Sequence, residues 1–212
     1  MQGDTLRIDG NSAQVEVRAG EGSDVRVERQ FERNMFGSDP KEKYHDGKLE
    51  LRDSGCGFLS FGCKTSYILT VPKDVQVTVR SSSGNIKVSG LDGGADLKTS
   101  SGNIEAQAVS GSLRMESSSG KLEAQDLGAT TVSTSSSSGS VDLDFAVAPQ
   151  SVQSKASSGD VSIRIPSSDD AYKVETDTSS GDESANIKID ANSTRTITAK
   201  TSSGDVTIEY NR

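Results

Sequence analysis

Tryptophan is absent from this 212-residue chain, histidine occurs once and cysteine twice. Each shortage closes off a class of chemistry. One histidine and two thiols cannot complete a four-ligand metal site without carboxylates, so no metal centre and no bound cofactor are expected. A serine–histidine–acid device would have to use His45, in the polar run Lys43-Tyr44-His45-Asp46-Gly47, and no Gly-x-Ser-x-Gly turn accompanies it. His45 therefore reads as a solvated loop residue, and no catalytic residue is assigned. Large apolar residues are scarce as well. Leu, Ile, Val and Phe fill 43 positions, a level at which an ordinary globule struggles to offset its conformational entropy. No run approaches the ~20 apolar residues of a membrane-spanning helix. The opening Met-Gln-Gly-Asp-Thr-Leu is not a signal peptide, so an exported form would carry its targeting segment outside this chain. Positive charge is in deficit too. The net charge is −8, and residues 81–212 hold 18 acids against 11 bases. Such a surface repels phosphate backbones, and nucleic acid is excluded as a partner.

What the chain has in abundance is a repeat. Ser-Ser-Gly occurs seven times, with glycines at Gly84, Gly102, Gly120, Gly139, Gly159, Gly181 and Gly204, spaced by 18 to 23 residues. A near-constant period of this length marks stacked structural units. Seven positions before the glycine stand Val77, Ala95, Leu113, Val132, Val152, Val174 and Ile197, all apolar. Two positions after it stand Ile86, Ile104, Leu122, Val141, Val161, Glu183 and Val206. Alternation with period two on both sides of the corner predicts strands with one inward face. The expected fold is all-β: a single-stranded β-solenoid, β-helix-like, with about 18–23 residues per coil, each coil a strand, a corner, a strand and a second corner. Glu183 breaks the inward pattern and predicts a bulge or loop over 182–186.

Residues 1–80 lack the corner but keep short alternating runs around Leu6, Val15, Val25, Leu49 and Tyr67. They read as degenerate coils and an N-terminal cap carrying a cysteine loop, continuous with the Ser-Ser-Gly solenoid of 81–212 as one domain. Cys56 and Cys63 sit seven apart. The expectation is a disulfide, which implies an oxidising compartment; the alternative is two free thiols. Six of the nine aromatics fall between residues 31 and 67. Phe31, Phe36, Tyr44, Phe58 and Phe61 form the candidate interaction patch, and the same rings could instead plug the open end of the stack.

The run Ser-Ser-Gly-Asn-Ile-Lys-Val-Ser-Gly-Leu, its echoes Ser-Ser-Gly-Asn-Ile-Glu-Ala and Ser-Ser-Gly-Asp-Val-Thr-Ile, and the lead-in Cys63-Lys64-Thr65-Ser66-Tyr67-Ile68-Leu69-Thr70-Val71-Pro72 resemble a bacterial β-strand repeat family of unknown function labelled "putative adhesin". The resemblance covers nearly the whole chain and implies a right-handed winding and an extracytoplasmic, cell-surface setting. It brings no catalytic residues with it.

Three rival chemistries can be weighed on residues. Asp142 and Asp144 share the outward face of one strand, the best acid pair for a polysaccharide-degrading β-helix. The absence of Trp and the scarcity of outward aromatics weaken that reading. Asn85, Asn103, Asp160, Asp182 and Asp205 follow corner glycines, but calcium-binding rolls repeat about every nine residues. Thr99, Thr178 and Thr201 suggest the threonine rows of an ice-binding surface, yet Ser81, Ser117, Ser136 and Ala156 interrupt them. The expected function is a non-catalytic envelope or cell-surface module that binds a cell-wall polymer or an envelope protein. The structural alternative is end-to-end self-association through the last coil, which has little chain left to cap it.

Overall fold

The computed structural model describes residues 5–32, 41–45, 48–52 and 64–211, and among them every regular element is a strand. Before the repeats come β1 (Thr5–Asn11), β2 (Gln14–Gly20), β3 (Arg26–Glu32), β4 (Lys41–His45), β5 (Lys48–Arg52) and β6 (Lys64–Pro72). The repeats form pairs of strands around each corner: β7 (Gln76–Ser81) and β8 (Ile86–Ser89), then β9 (Ala95–Thr99) and β10 (Ile104–Gln107), then β11 (Ser112–Ser117) and β12 (Leu122–Leu127). They continue with β13 (Thr131–Ser136) and β14 (Val141–Phe145), and with β15 (Ser151–Ala156) and β16 (Val161–Ile165). The last two pairs are β17 (Lys173–Ser180) with β18 (Glu183–Asn186), and β19 (Thr196–Ser203) with β20 (Val206–Tyr210).

The two strands of a pair go to different sheets. One sheet runs β17-β19-β15-β13-β11-β9-β7-β1-β5-β4, the other β18-β20-β16-β14-β12-β10-β8-β2-β6-β3. This is the winding of a β-solenoid, with two open sheets enclosing one narrow core. Ile86, Ile104, Leu122, Val141 and Val161 lie side by side in parallel register, in steps of 18, 18, 19 and 20 residues. All five are buried. Because each inward side chain packs on its counterpart in the next coil, a few apolar residues per coil suffice. That is how a chain so poor in large apolar residues closes a core.

Spatial order departs from chain order at both ends. The final coil, β19 and β20, does not end the stack: β19 lies between β15 and β17, and β20 between β16 and β18. The first coil, β1 and β2, likewise lies between β7/β8 and β5/β6. The last coil is therefore not the exposed edge its place in the sequence suggests. The 22-residue spacing from Gly159 to Gly181 spans two levels of the stack, and the step to Gly204 runs back by one.

Residues 183–186 correct a second expectation. They form the regular short strand β18, with Glu183 in register with Val206. The carboxylate is tolerated because this coil is the outermost one on its side. There Glu183 reaches over the end of the core and accepts hydrogen bonds from Thr176 Oγ1 (2.5 Å) and Thr178 N (3.1 Å). The order observed buries Ile197, Ala199, Val206 and Ile208 completely and leaves the polar coil outside. Stacked in chain order, the carboxylate would sit between Val161 and Val206, a costly desolvation without a cation.

The N-terminal segment is less coil-like than its alternation implies. β3 and β4 pair antiparallel with β6 and β5 and end the two sheets. His45 is the last residue of β4 rather than part of a loop. The first coil also has a corner with no glycine signature, at Asn11-Ser12-Ala13, where Asn11 adopts a φ of 48° and Ala13 is buried.

The corner glycines are demanded by close approach. A Cβ on Gly102 would stand 2.1 Å from the carbonyl oxygen of Gly84, and one on Gly120 would stand 1.9 Å from that of Gly102. Stacked backbones leave no room for a side chain there.

Candidate interaction surface

Strand parity decides which side chains the protein shows to its surroundings. On the β7 sheet the outward rows carry Arg7, Thr78, Asp96, Arg114, Ser133, Gln153, Thr198 and Glu175 in register, beside Asp9, Arg80, Lys98, Glu116, Ser135, Lys155, Lys200 and Asp177. Opposite charges on adjacent coils meet: Arg80 with Asp96 at 2.9 Å, Lys98 with Glu116 at 2.8 Å, and Lys200 with Glu175 at 2.5 Å. Arg114 also pairs with Glu116. The Lys98 ammonium, helped by Arg114 and opposed by partial burial, holds the Glu116 carboxyl below its ordinary 4.5. A shallow cleft of about 370 Å³ on this face is lined by Arg7, Asp9, Thr78, Arg80 and Asp96.

The β8 sheet repeats the principle with a cleft of about 180 Å³, lined by Lys87, Glu105, Gln107, Glu123 and Gln125. Lys87 pairs with Glu105 at 3.2 Å and Lys121 with Glu123 at 2.8 Å. The hydrogen bond to Glu123 and the nearby Asp142 raise Lys121 above its ordinary 10.5 despite partial burial.

Arg164 governs the acid pair. Its Nη2 lies 2.5 Å from Asp142 Oδ1 and its Nε 3.3 Å from Asp144 Oδ2. Asn211 Nδ2 donates to the other Asp144 oxygen at 3.1 Å. Burial works against the Arg164 charge, but the two carboxylates outweigh it and raise its pKa. Arg164 thus bridges the two aspartates, and Asp144 is shared with Asn211.

The remaining candidates divide by location. Phe31 lies in β3, in register with Thr65, and Tyr44 in β4, in register with Leu49. Both strands end their sheets on the same side of the stack. Phe36, Phe58, Phe61, Cys56 and Cys63 lie outside the described residues. Of the other acids, Asp170 meets Arg195 at 3.4 Å and Glu183 closes the end coil as above. The residues after the corner glycines form a backbone ladder. Asn85 Oδ1 accepts from Asn103 N, Asn103 Oδ1 from Lys121 N, Asp160 Oδ1 from Asp205 N, and Asp205 Oδ1 from Asp182 N, all at 2.9–3.0 Å.

The hydroxyl row before the corners turns inward, which corrects its reading as a surface row. Thr99, Ser117, Ser136 and Thr201 are buried. Thr99 Oγ1 accepts from Gly102 N in its own corner at 3.2 Å and donates to the Gly84 carbonyl of the next coil at 3.3 Å. Ser117 donates to Gly102 O at 3.2 Å. Parity alone could have shown this, since four residues separate this row from the inward one seven before the glycine. Arg164 and Arg195 had no comparable signal, because their partners lie 20 to 47 residues away.

The chain is similar to two solved structures. One, a "putative adhesin" from Bacteroides fragilis, is 15% identical, with 100% of this chain and 93% of that chain covered and a TM-score of 0.60. The other, a "putative cell adhesion protein" from Clostridium sporogenes, is 10% identical, with 99% and 93% covered and a TM-score of 0.44. No curated protein matches. The first likeness supports the all-β repeat fold. The family described as Toastrack DUF4097 matches residues 4–212, and with nearly the whole repeat frame inside that match the chain belongs to this family.

Proposed function

We propose that this chain is a non-catalytic binding and scaffold module of the bacterial envelope or cell surface, a right-handed solenoid whose partner is a cell-wall polymer or an envelope protein. The observation that carries the reading is the pairing of surface charge between coils. The strongest acid–base candidates, Asp142 and Asp144, are both engaged by Arg164, and among the described residues the faces present rows of polar groups at the coil spacing. The adhesin description of the Bacteroides fragilis structure is in keeping with this reading. The aromatic patch of Phe31, Phe36, Tyr44, Phe58 and Phe61, with a Cys56–Cys63 disulfide, is the proposed contact region. End-to-end association has less support, because the coil ending the stack beyond β19 and β20 is polar and closed over by Glu183.

The test is retention of the purified, oxidised protein on isolated cell-wall polymers and on an envelope extract, beside the Cys56→Ser/Cys63→Ser variant. Specific retention that weakens when the loop is opened is expected. Failure of both forms to bind any envelope component would refute the binding role.

A further inference from the structure

A strand at the end of a sheet is held by one ladder of hydrogen bonds, and peeling it breaks those bonds singly. The strands nearest the two chain ends are not in that position. β1 is paired with β7 from Thr5 to Asn11 and with β5 from Arg7 to Asp9. β20 is paired with β16 from Val206 to Tyr210 and with β18 from Val206 to Glu209. Their inward residues and those of their coil partners, Leu6, Ile8, Val15, Val17, Ile197, Ala199, Val206 and Ile208, are buried, whereas Val174 and Ala185 of the neighbouring end coil are only partly covered.

Side chains fasten the final coil on both sides. Arg195, just before β19, donates Nη1 to the carbonyls of Ala148 (3.1 Å) and Pro149 (2.8 Å) beside one neighbouring coil, while its Nε meets Asp170 beside the other. Asn211, just after β20, donates its backbone N to Ile165 O and its Nδ2 to Phe145 O, both at 2.8 Å.

We infer that the fold is a tension-bearing clamp: chain attached before Thr5 or after Asn211 pulls on an interior coil, and the molecule resists unravelling from its ends. The inference rests on strand order and on the side-chain fastening of the final coil, and it stands or falls separately from any binding role. Pulling at Asn211 must open the β16 and β18 ladders together, whereas pulling on the end coil opens one.

The experiment is single-molecule force spectroscopy on the full chain, with one handle at Ser135 in β13 and the other either at the chain end or at Ser179 in β17. The first rupture should need about twice the force from the chain end, because twice as many bonds of similar strength break per residue advanced. The Asn211→Ala variant, whose lost Nδ2 bonds go to Asp144 and Phe145 and not to the end coil, should lower the chain-end force toward the Ser179 value and leave the Ser179 value unchanged. A chain-end force equal to or below the Ser179 force overturns the inference. So does a variant that shifts both alike. If the variant does not fold, the two pulling positions on the unaltered chain still decide.

Discussion

Replacing Gly102 by alanine isolates what the Ser-Ser-Gly corner is for. Its φ does not lie in the left-handed region, so an alanine could adopt the backbone; only space is lacking. The added Cβ would lie 2.1 Å from Gly84 O and 2.7 Å from Gly84 C, against the 3.4 Å at which ordinary contact begins. Neither atom belongs to a flexible side chain, so the two coils must separate by about 1 Å of their ~4.8 Å spacing. Hydrogen bonds that span the gap beside the clash include Thr99 Oγ1 to Gly84 O, Asn103 N to Asn85 Oδ1, and Ile86 N to Asn103 O. At about 1 kcal/mol each, their loss or stretching sets the cost near 3 kcal/mol. Gly128→Ala is the control. Its φ also lies outside the left-handed region, and the nearest atom to the added Cβ is the Ser110 hydroxyl at 3.0 Å, a side chain that can turn away, so the cost should stay below about 1 kcal/mol. Urea denaturation followed by circular dichroism measures both, and amide exchange at Ile86 and Asn103 locates the damage. If Gly102→Ala costs no more than Gly128→Ala, close approach is not what reserves the corner for glycine.

The buried hydroxyl row yields a pair of opposite outcomes. Ser136 Oγ is buried without a hydrogen-bond partner, so Ser136→Ala should be neutral or stabilising by less than about 1 kcal/mol, while Thr99→Val should cost about 1–2 kcal/mol; thermal melts of the two variants decide it. Ala108 and Asp126 hold φ of 50° and 54°. Glycine at either position should raise stability by roughly 0.5–1 kcal/mol, read as a higher urea midpoint at unchanged slope. Glu116 and Glu123 are both held below 4.5, chiefly by hydrogen bonds from Lys98 and Lys121. Depressed carboxyls contribute stability that is complete above 4.5 and is lost as pH falls through their lower folded values. Lys121, raised above 10.5, contributes below that pH and loses its share as pH rises further. The unfolding midpoint should therefore fall on acidification below pH 4.5, by about 1 kcal/mol or less per pair; Glu116→Gln should flatten the acid limb.

The repeat frame, the strands around each corner and the inward apolar columns were legible because every coil faces the same packing problem, and parity records the solution residue by residue. The order of the coils was not. Val152, Val174 and Ile197 hold the same place in the frame, as do Val161 and Val206, so local pattern permits β17 or β19 to lie beside β15. Glu183 carried the deciding information, but its meaning depends on which coil ends the stack. The same limit hid Asn11-Ser12-Ala13 as a corner, since it lacks the glycine that defines the others. Of the acid pair, the outward placement of Asp142 and Asp144 followed from alternation; the arginine between them came from a strand 20 residues further on.

Strand order also imposes a schedule on biosynthesis. In the middle of the stack each coil meets one made 18 to 20 residues earlier, so that block can assemble as it emerges from the ribosome. The first coil cannot follow suit: Leu6 waits for Val77, 71 positions later. At the other end Val152 must wait past β17 for Ile197, 45 positions on. Contacts of such separation are slow to form. The central coils are thus the natural nucleus; the two coils nearest the chain ends seat on it late, and β17/β18 and β5/β6 can complete the stack only once those coils are in place.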